Sequence, residues 1–324
     1  MNQPLRPSPF VSLEAPRLDA AKFRDPLVTA KGEARARVGI KALTTLWFNT
    51  GTLCNLTCLN CYIDSSPTND ALAYLTTAEA RGYLDEIAAL GLPVGEIGFT
   101  GGEPFMNPDC LAMIGEALDR GFEVLVLTNA MKPMEHRKAG LLALKDRHGQ
   151  RLTMRVSLDH HTPAIHEAER GVGTWAKAIE GLRWLSGEGF SLAVAGRRLT
   201  QESEADARAG YAAVFARLGV AIDAFDPARL VLFPEMDAAC DVPEITTACW
   251  GILGKSPDDL MCASSRMVVK RRGAERAAVV ACTLTPYDTQ FELGATLAEA
   301  LGEVPLNHPH CAKFCVLGGA SCSG

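Results

Sequence analysis

Short apolar runs alternate with longer amphipathic segments from about residue 43 onwards. Runs such as TTLWFN, EIGFT and FEVLVLTN have the length and the aromatic and β-branched content of strands. Segments such as TAEARGYLDEIAALG repeat their apolar positions at helical spacing, with Thr77 as the expected N-cap. Buried-type strands that alternate with helices indicate parallel βαβ units. Six strands between residues 43 and 234 favour an open or closed α/β barrel over an antiparallel sheet.

The rhythm changes after about residue 235. The stretch RMVVKRRGAERAAVVAC predicts a β-hairpin that turns near Gly273. At the other end, residues 1–42 lean basic and are expected to form a solvated arm over the main domain. The chain is thus divided into an arm (1–42), a barrel (43–235) and a C-terminal part (236–324).

Composition argues against a nucleic-acid-binding, secreted or membrane-spanning protein. With 48% hydrophobic and 22% charged residues and a net charge of −6, the chain has no basic field to attract nucleic acid. The N-terminus lacks the apolar core of a signal peptide, and no apolar run is long enough to span a membrane. We therefore expect a cytoplasmic protein without a membrane partner. Thiols stay reduced there, so the eleven cysteines are interpreted as metal ligands or reactive groups before disulfides.

The most informative cluster is Cys54, Cys58 and Cys61, which follows the first strand of the barrel pattern. Three thiols are too many for one disulfide and too few for a closed tetrahedral zinc site. Cysteine thiolates are the usual ligands of a [4Fe–4S] cluster, and three of them leave one iron open to a small molecule. Other unusual residues follow the next three strands, in GGEP, TNA and SLDHH. Chemistry in parallel α/β folds sits at these carboxyl ends.

The combination of CNLTCLNCY, FTGGEP, LTNA and VSLDHHTPAIHEAERGVGTW, in this order, resembles the radical S-adenosylmethionine (SAM) enzymes. The resemblance covers about residues 43–235 and implies a partial (β/α)6 barrel of the TIM type. It also implies that Cys54, Cys58 and Cys61 bind a [4Fe–4S] cluster, and that SAM chelates the fourth iron. The remaining cofactor-binding residues implied by the resemblance are Tyr62, Gly101, Gly102, Glu103, Pro104, Asn129, Ser157, Asp159 and Arg170. Among them, Glu103 is expected to accept a hydrogen bond from the SAM amino group.

The C-terminal cysteines resemble the twitch/SPASM-like extension of a subset of these enzymes, a hairpin plus a helix that binds an auxiliary [4Fe–4S] cluster. By this resemblance the metal ligands are Cys262, Cys282, Cys311 and Cys315, and Cys322 could replace one of them. A structural zinc site is the alternative, because the spacing Cys311-x₃-Cys315 tolerates it. Cys110, on a helix with apolar neighbours, is expected to be a buried and inert thiol.

Three functional hypotheses follow. The first is a radical SAM oxidoreductase or bond-forming enzyme that cleaves SAM to a 5′-deoxyadenosyl radical and abstracts a hydrogen atom from a small molecule or peptide. The short arm favours a small molecule, and the alternative is a peptide or protein modifier with thioether, C–C cross-link or formylglycine-type chemistry. The second hypothesis is a non-catalytic iron–sulfur carrier or sensor, and the third is a zinc-stabilised module. An enzyme of this class needs an external reductant of the flavodoxin or ferredoxin type.

No side chain is assigned a catalytic role from the sequence. His160, His161 and His166 could face the cavity as proton acceptors or could simply fill the loop. Arg197 and Arg198 could bind the SAM carboxylate or an anionic substrate. Glu235, after the sixth strand, is a further candidate substrate contact.

Overall fold

The computed structural model of the protein describes residues 16–59, 61–235 and 237–318. Its strands are β1 Arg37–Val38, β2 Thr45–Asn49, β3 Glu96–Thr100, β4 Glu123–Thr128, β5 Leu152–Ser157, β6 Ser191–Arg198, β7 Leu230–Pro234, β8 Ser265–Val269, β9 Ala278–Val280, β10 Glu292–Gly294 and β11 Val304–Pro305. Its α-helices are α1 Thr77–Leu90, α2 Cys110–Asp119, α3 Lys132–Glu135, α4 Lys138–His148, α5 Pro163–Arg170, α6 Thr174–Gly187, α7 Glu204–Leu218 and α8 Cys249–Leu253.

Nine of these strands form one sheet in the order β10–β9–β8–β2–β3–β4–β5–β6–β7. Strands β2 to β7 are parallel to one another and lie side by side in chain order. Their carboxyl ends therefore meet along one edge, where cofactor and substrate sites of parallel barrels lie. The predicted partial (β/α)6 barrel is confirmed.

The barrel strands are apolar on both faces because each face is covered. In β2, Leu46 and Phe48 belong to the large core beneath the helices, whereas Trp47 belongs to a separate cluster inside the barrel. Trp47 lies across Gly98 of β3, where an added Cβ would come within 2.3 Å of the indole ring. The missing side chain at Gly98 lets Trp47 fill the interior of the barrel.

The first helix begins one residue earlier than the sequence suggested. The N-cap of α1 is Thr76, not Thr77, and its hydroxyl accepts from the backbone N–H of Glu79 while the Glu79 carboxylate accepts from the Thr76 N–H. This reciprocal capping box satisfies two otherwise unpaired donors. The sequence analysis also placed no helix between β4 and β5, where α3 and α4 lie.

Most of the N-terminal arm is exposed over the part that the structure describes, but its last residues are tied to the C-terminal part. Its strand β1 pairs with β11 of the C-terminal part. Arg35 is 2% exposed and pairs with Glu244 at 2.5 Å. A buried guanidinium is tolerated when a carboxylate compensates its charge, so this pair anchors the arm.

The C-terminal part contains the predicted hairpin, formed by β8 and β9, with Gly273 at φ +78° between them. Strand β8 also pairs in parallel with β2, so the barrel sheet continues into the hairpin. A π-helical segment over Cys311–Leu317 follows. The domain boundary after residue 235 stays a prediction, and the sheet is continuous across it. In the part of the chain that is described, no helix is long and apolar enough to cross a membrane.

Helix α6 packs closely against the loop that follows β4, which the sequence analysis placed at the site. An added Cβ at Gly181 would come within 1.9 Å of the Ala130 carbonyl oxygen, and Ala130 itself adopts φ +57°. We predict that Gly181→Ala lowers the free energy of unfolding by about 1–3 kcal/mol, because backbone atoms must move to relieve the overlap.

The matched control is Gly187→Ala, at the exposed end of the same helix, where an added Cβ meets nothing within 4 Å. This change should leave stability unchanged or raise it by up to about 1 kcal/mol. Urea unfolding followed by circular dichroism measures both values. Equal stability of the two variants would contradict the close packing described for Gly181.

Candidate functional site

The loop that carries Cys54, Cys58 and Cys61 is held by backbone contacts to the loop after β3. The Gly102 N–H donates to the Gly51 carbonyl at 2.7 Å, and the Glu103 N–H donates to the Leu53 carbonyl at 3.1 Å. An added Cβ at Gly102 would lie 2.2 Å from the Leu53 carbonyl oxygen. Gly101 adopts φ +143°, which favours glycine. The two glycines thus allow the loops to touch.

A cavity of about 160 Å³ opens at the carboxyl ends of the barrel strands. Ten of the predicted site residues line it: Cys54, Cys58, Cys61, Tyr62, Gly101, Gly102, Asn129, Ser157, Asp159 and Arg170. Nine of them lie at the ends of four strands or in the loops that follow, and Arg170 is the last residue of α5. The structure therefore brings the predicted constellation into one place, as the strand-end argument required.

Glu103 and Pro104 are buried next to this cavity rather than among the residues that line it. The Glu103 carboxylate accepts from the Thr128 hydroxyl and the Asn129 N–H, each at 2.8 Å. Burial raises the pKa of Glu103 to about 7, although these donors oppose the shift. In the structure, Glu103 holds the loop after β4. Its predicted contact with an amino group stays a prediction.

Two arginines and three carboxylates form an ion-pair network at the cavity wall. Arg170 donates to both oxygens of Asp159, at 2.8 and 2.9 Å. Arg197 binds Glu169 at 3.0 Å and Glu235 at 2.6 Å. Burial opposes ionisation of Asp159, but the Arg170 and Arg197 guanidinium groups hold its pKa below the usual value. The wall is thus polar and rigid, and its charges are compensated.

This network revises two expectations about substrate contacts. Arg197 lines the cavity but is already held by two carboxylates, which weakens its case as an anion-binding group. Arg198 is exposed and is not among the cavity-lining residues. The Glu235 carboxylate pairs with Arg197, and this ion pair explains the position of Glu235 without a contact to substrate.

The three cysteines of the loop all line the first cavity. Burial raises the pKa of Cys54 and of Cys58 to about 12, and nearby Arg170 opposes the shift at Cys58. Without a metal these thiols are neutral, so metal binding must displace protons. The Asn129 amide lies 3.9 Å from the Cys54 sulfur, a distance that suits a weak hydrogen bond to sulfur. Three thiols around one cavity fit an incompletely ligated iron–sulfur cluster.

A second cavity is lined by all four predicted auxiliary ligands, Cys262, Cys282, Cys311 and Cys315. Its other lining residues are apolar except Thr285 and His310, and none is a carboxylate. Burial raises the pKa of Cys262 to about 12 and that of Cys311 well above its usual value. A thiol-rich, carboxylate-free cavity fits a soft metal centre.

The four sulfurs are not gathered at the spacing of a single bound ion. Zinc holds four thiolates at about 2.3 Å, which brings their sulfurs to within about 4 Å of one another. No three cysteine sulfurs in the described ranges all lie within 4.8 Å of each other. A cluster of several irons spans a wider gap than a single ion does. The fifth predicted thiol, Cys322, lies outside the described residues, and Cys110 is fully buried as expected.

The histidines after β5 do not line the cavity. His160 and His161 both bind Glu202, through Nε2 at 2.5 and 2.9 Å. The Thr162 N–H donates to Nδ1 of His160 at 3.1 Å, so Nδ1 is the acceptor and Nε2 of His160 carries the proton. The Nε2–H therefore donates to the Glu202 carboxylate. The cluster ties two loops together by hydrogen bonds, which favours the loop-filling interpretation.

The sequence analysis missed the apolar end of the first cavity. Phe233 of β7 stacks on Phe314, with ring centroids 5.4 Å apart, and Leu284 lies beside them. Phe314 and Leu284 come from the C-terminal part, so that part closes the barrel cavity. No sequence motif predicts these residues, because they come together only in the folded chain.

Known proteins are similar to this chain in sequence and in fold. The family model described as Radical SAM superfamily matches residues 48–231. The chain is 32% identical over 143 residues to the antilisterial bacteriocin subtilosin biosynthesis protein AlbA of Bacillus subtilis, which covers 44% of this chain and 30% of AlbA. It is 31% identical over 138 residues to the AdoMet-dependent heme synthase of Methanosarcina barkeri, with coverages of 41% and 36%. The chain thus spans about a third of the length of these curated relatives.

Among solved structures, Streptococcus suis SuiB bound to precursor peptide SuiA aligns with a TM-score of 0.57 and 11% identity, over 79% of this chain and 63% of SuiB. This likeness shows the shared fold. Because the family model covers more than half of the chain, the protein belongs to the radical SAM superfamily. Enzymes of this superfamily use a [4Fe–4S] cluster and SAM, so the predicted class of enzyme and its cofactors are confirmed at that level.

One buried histidine beside the site makes stability depend on pH. His166 is 0% exposed, and its Nδ1 accepts from the Asp159 N–H at 3.2 Å. Burial, aided by the charge of Arg170, lowers its pKa from 6.5 to about 4. Between these pH values the unfolded chain binds the proton and the folded chain does not. Stability is therefore lost as the pH falls below 6.5.

We predict that this residue alone removes about 3 kcal/mol from the free energy of unfolding between pH 7 and pH 4. His166→Asn keeps a hydrogen-bond acceptor but cannot titrate. The free energy of unfolding of this variant should therefore fall by about 3 kcal/mol less than that of the unsubstituted protein between pH 7 and pH 4. His136→Asn, at an exposed position, is the control and should follow the unsubstituted protein. Parallel pH profiles for all three proteins would show that His166 titrates normally.

Proposed function

We propose that the protein is a peptide-modifying radical SAM enzyme with an auxiliary iron–sulfur cluster. The observation that carries the proposal is the single cavity that unites three loop cysteines with Gly101, Gly102, Asn129, Ser157, Asp159 and Arg170. A carrier or sensor of electrons needs none of these last six residues. Their presence beside an open metal site favours catalysis over simple electron storage.

Cys54, Cys58 and Cys61 would hold the cluster that binds SAM. When bound there, the cluster and SAM supply a one-electron reductive cleavage to a 5′-deoxyadenosyl radical, which takes a hydrogen atom from the substrate. The chain's own contribution is position and exclusion of water. Ser157 and Asp159 offer acceptors for ribose hydroxyls or an amino group, and Arg170 fixes Asp159 in the ionised form.

Cys262, Cys282, Cys311 and Cys315 would hold the auxiliary cluster. Four thiols in an otherwise largely apolar lining support a soft metal centre. We favour a cluster over zinc because the hairpin and the cysteine pair resemble the twitch/SPASM-like extension. Leu284 lines both cavities, so the two centres lie on either side of one wall. An auxiliary centre in this position could accept an electron from a substrate radical or bind the substrate.

The substrate end of the cavity is apolar, with Phe233, Phe314 and Leu284 opposite the polar wall. An apolar side chain of a peptide fits against these residues better than a charged group does. AlbA takes part in the biosynthesis of a bacteriocin, and SuiB binds a precursor peptide. We therefore favour a peptide over the small molecule that the short arm suggested. A small-molecule substrate is the second candidate, because the chain is also similar to a heme synthase. An external flavodoxin or ferredoxin type reductant completes the system.

Anaerobic protein, reconstituted with iron and sulfide and reduced with dithionite, should release 5′-deoxyadenosine from SAM. Peptides translated from short reading frames next to the gene should stimulate this release, and porphyrins should not. Mass spectrometry of the nucleoside and of the peptide is the measurement. Cys54→Ser should abolish release, whereas Arg198→Ala, outside the cavity, should leave it unchanged. Stimulation by porphyrins alone would contradict the peptide assignment.

The iron content tests both metal sites. We expect about eight irons per chain, four for each cubane. Cys54→Ser and Cys282→Ser should each remove about half of that iron, because each replaces a ligand of a different cluster. Cys110→Ser is the control, since this thiol is buried away from both cavities and should leave the iron unchanged. Zinc bound in place of the second four irons would contradict the auxiliary cluster.

A further inference from the structure

Strand β8 buries an arginine behind the four-cysteine cavity. Arg266 is 0% exposed. Its guanidinium donates to the carbonyl oxygens of Cys262 at 2.6 Å, Ser265 at 2.8 Å, Ala300 at 2.7 Å and Gly302 at 3.0 Å. These bonds satisfy most of its donors. The acceptors are neutral carbonyl oxygens, so these hydrogen bonds do not compensate the positive charge of the guanidinium.

No carboxylate pairs with Arg266 among the residues that the structure describes. The contrast is Arg35, equally buried, which binds the Glu244 carboxylate at 2.5 Å. Arg266 also contacts the metal-ligand segment directly, because its guanidinium donates to the Cys262 carbonyl oxygen at 2.6 Å. Burying a charge without a partner is costly, and natural proteins avoid it. The position of Arg266 therefore needs an anion that the chain alone does not supply.

A metal centre on the four cysteines would be that anion. Binding converts neutral thiols into thiolates. Four thiolates outweigh the positive charge of an iron–sulfur core, so the complete group is a net anion, and it gains one more negative charge on reduction. A fixed cation beside it favours the more negative state.

We propose that Arg266 is the counter-charge of the metal centre held by Cys262, Cys282, Cys311 and Cys315, and that it raises the reduction potential of that centre. The inference rests on the auxiliary cluster of the proposed function. It extends that function by naming the residue that sets how readily the auxiliary cluster accepts an electron. It also predicts that β8 is less stable when the metal is absent, because the buried charge of Arg266 then has no counter-charge.

The test uses the full chain with Cys54, Cys58 and Cys61 replaced by serine, so that only the auxiliary centre remains. In this background, Arg266→Gln removes the charge and Arg266→Lys keeps it. Redox titration followed by electron paramagnetic resonance gives the midpoint potential of each. We expect Arg266→Gln to lower the ratio of reduced to oxidised cluster at a fixed potential about tenfold, which is 59 mV for one electron. Arg266→Lys should retain most of the original potential.

Equal shifts in the two variants would mean that Arg266 only ties backbone carbonyls together, and would overturn the proposal while leaving the cluster intact. A background protein that contains no iron would overturn the auxiliary cluster, and the counter-charge with it.

Hydrogen exchange on the unsubstituted protein gives an answer even if the variants fail to fold. Amides of Ser265–Val269 should lose protection when the metal is removed, while those of Glu123–Thr128 keep it. Unchanged protection of β8 without metal would contradict the proposal.

Discussion

The structure depends on a backbone contact between two loops at the carboxyl edge of the barrel. The loop after β2 carries the three cysteines, and the loop after β3 reaches it so closely that no Cβ fits at Gly102. Strand pairing alone fixes only where a loop begins. The hydrogen bonds from Gly102 and Glu103 to the cysteine loop fix its course, and Glu103 in turn holds the loop after β4. Three strand ends thus become one rigid site.

Charge compensation follows different rules in the two cavities. In the first, carboxylates and guanidinium groups neutralise one another around the open side, through Asp159 with Arg170 and Arg197 with Glu169 and Glu235. In the second, the thiols face largely apolar walls, and the buried Arg266 lies behind them without a carboxylate partner among the described residues. The first arrangement suits a site that exchanges polar ligands. The second suits the metal centre that we propose there.

Most of the site could be predicted from the sequence because strand ends and motif order determine it. Parallel strands must bring GGEP, TNA and the residues after β5 to one edge, whatever the details of the helices. Other features depend on contacts between distant segments. The pairing of β8 with β2, the closure of the cavity by Phe314 and the burial of Arg35 against Glu244 have no local signature.

Errors in the sequence analysis have identifiable physical causes. The helices α3 and α4 were missed because their segment carries many charged residues and little amphipathic periodicity. The anchoring of the arm by Arg35 and Glu244 was missed because these two residues are 209 positions apart in the sequence. The cofactor contact expected of Gly101 and Gly102 stays a prediction, and the structure adds that these glycines make room for the cysteine loop.

The most direct test of the central claim is the electron paramagnetic resonance spectrum of the reduced protein before and after addition of SAM. It is best recorded on a variant in which Cys262, Cys282, Cys311 and Cys315 are serine, so that only the loop cysteines bind metal. An iron left open at Cys54, Cys58 and Cys61 predicts a [4Fe–4S] signal whose g-values change when SAM binds. A silent protein that contains zinc, or a cluster signal that SAM leaves unchanged, would contradict the account.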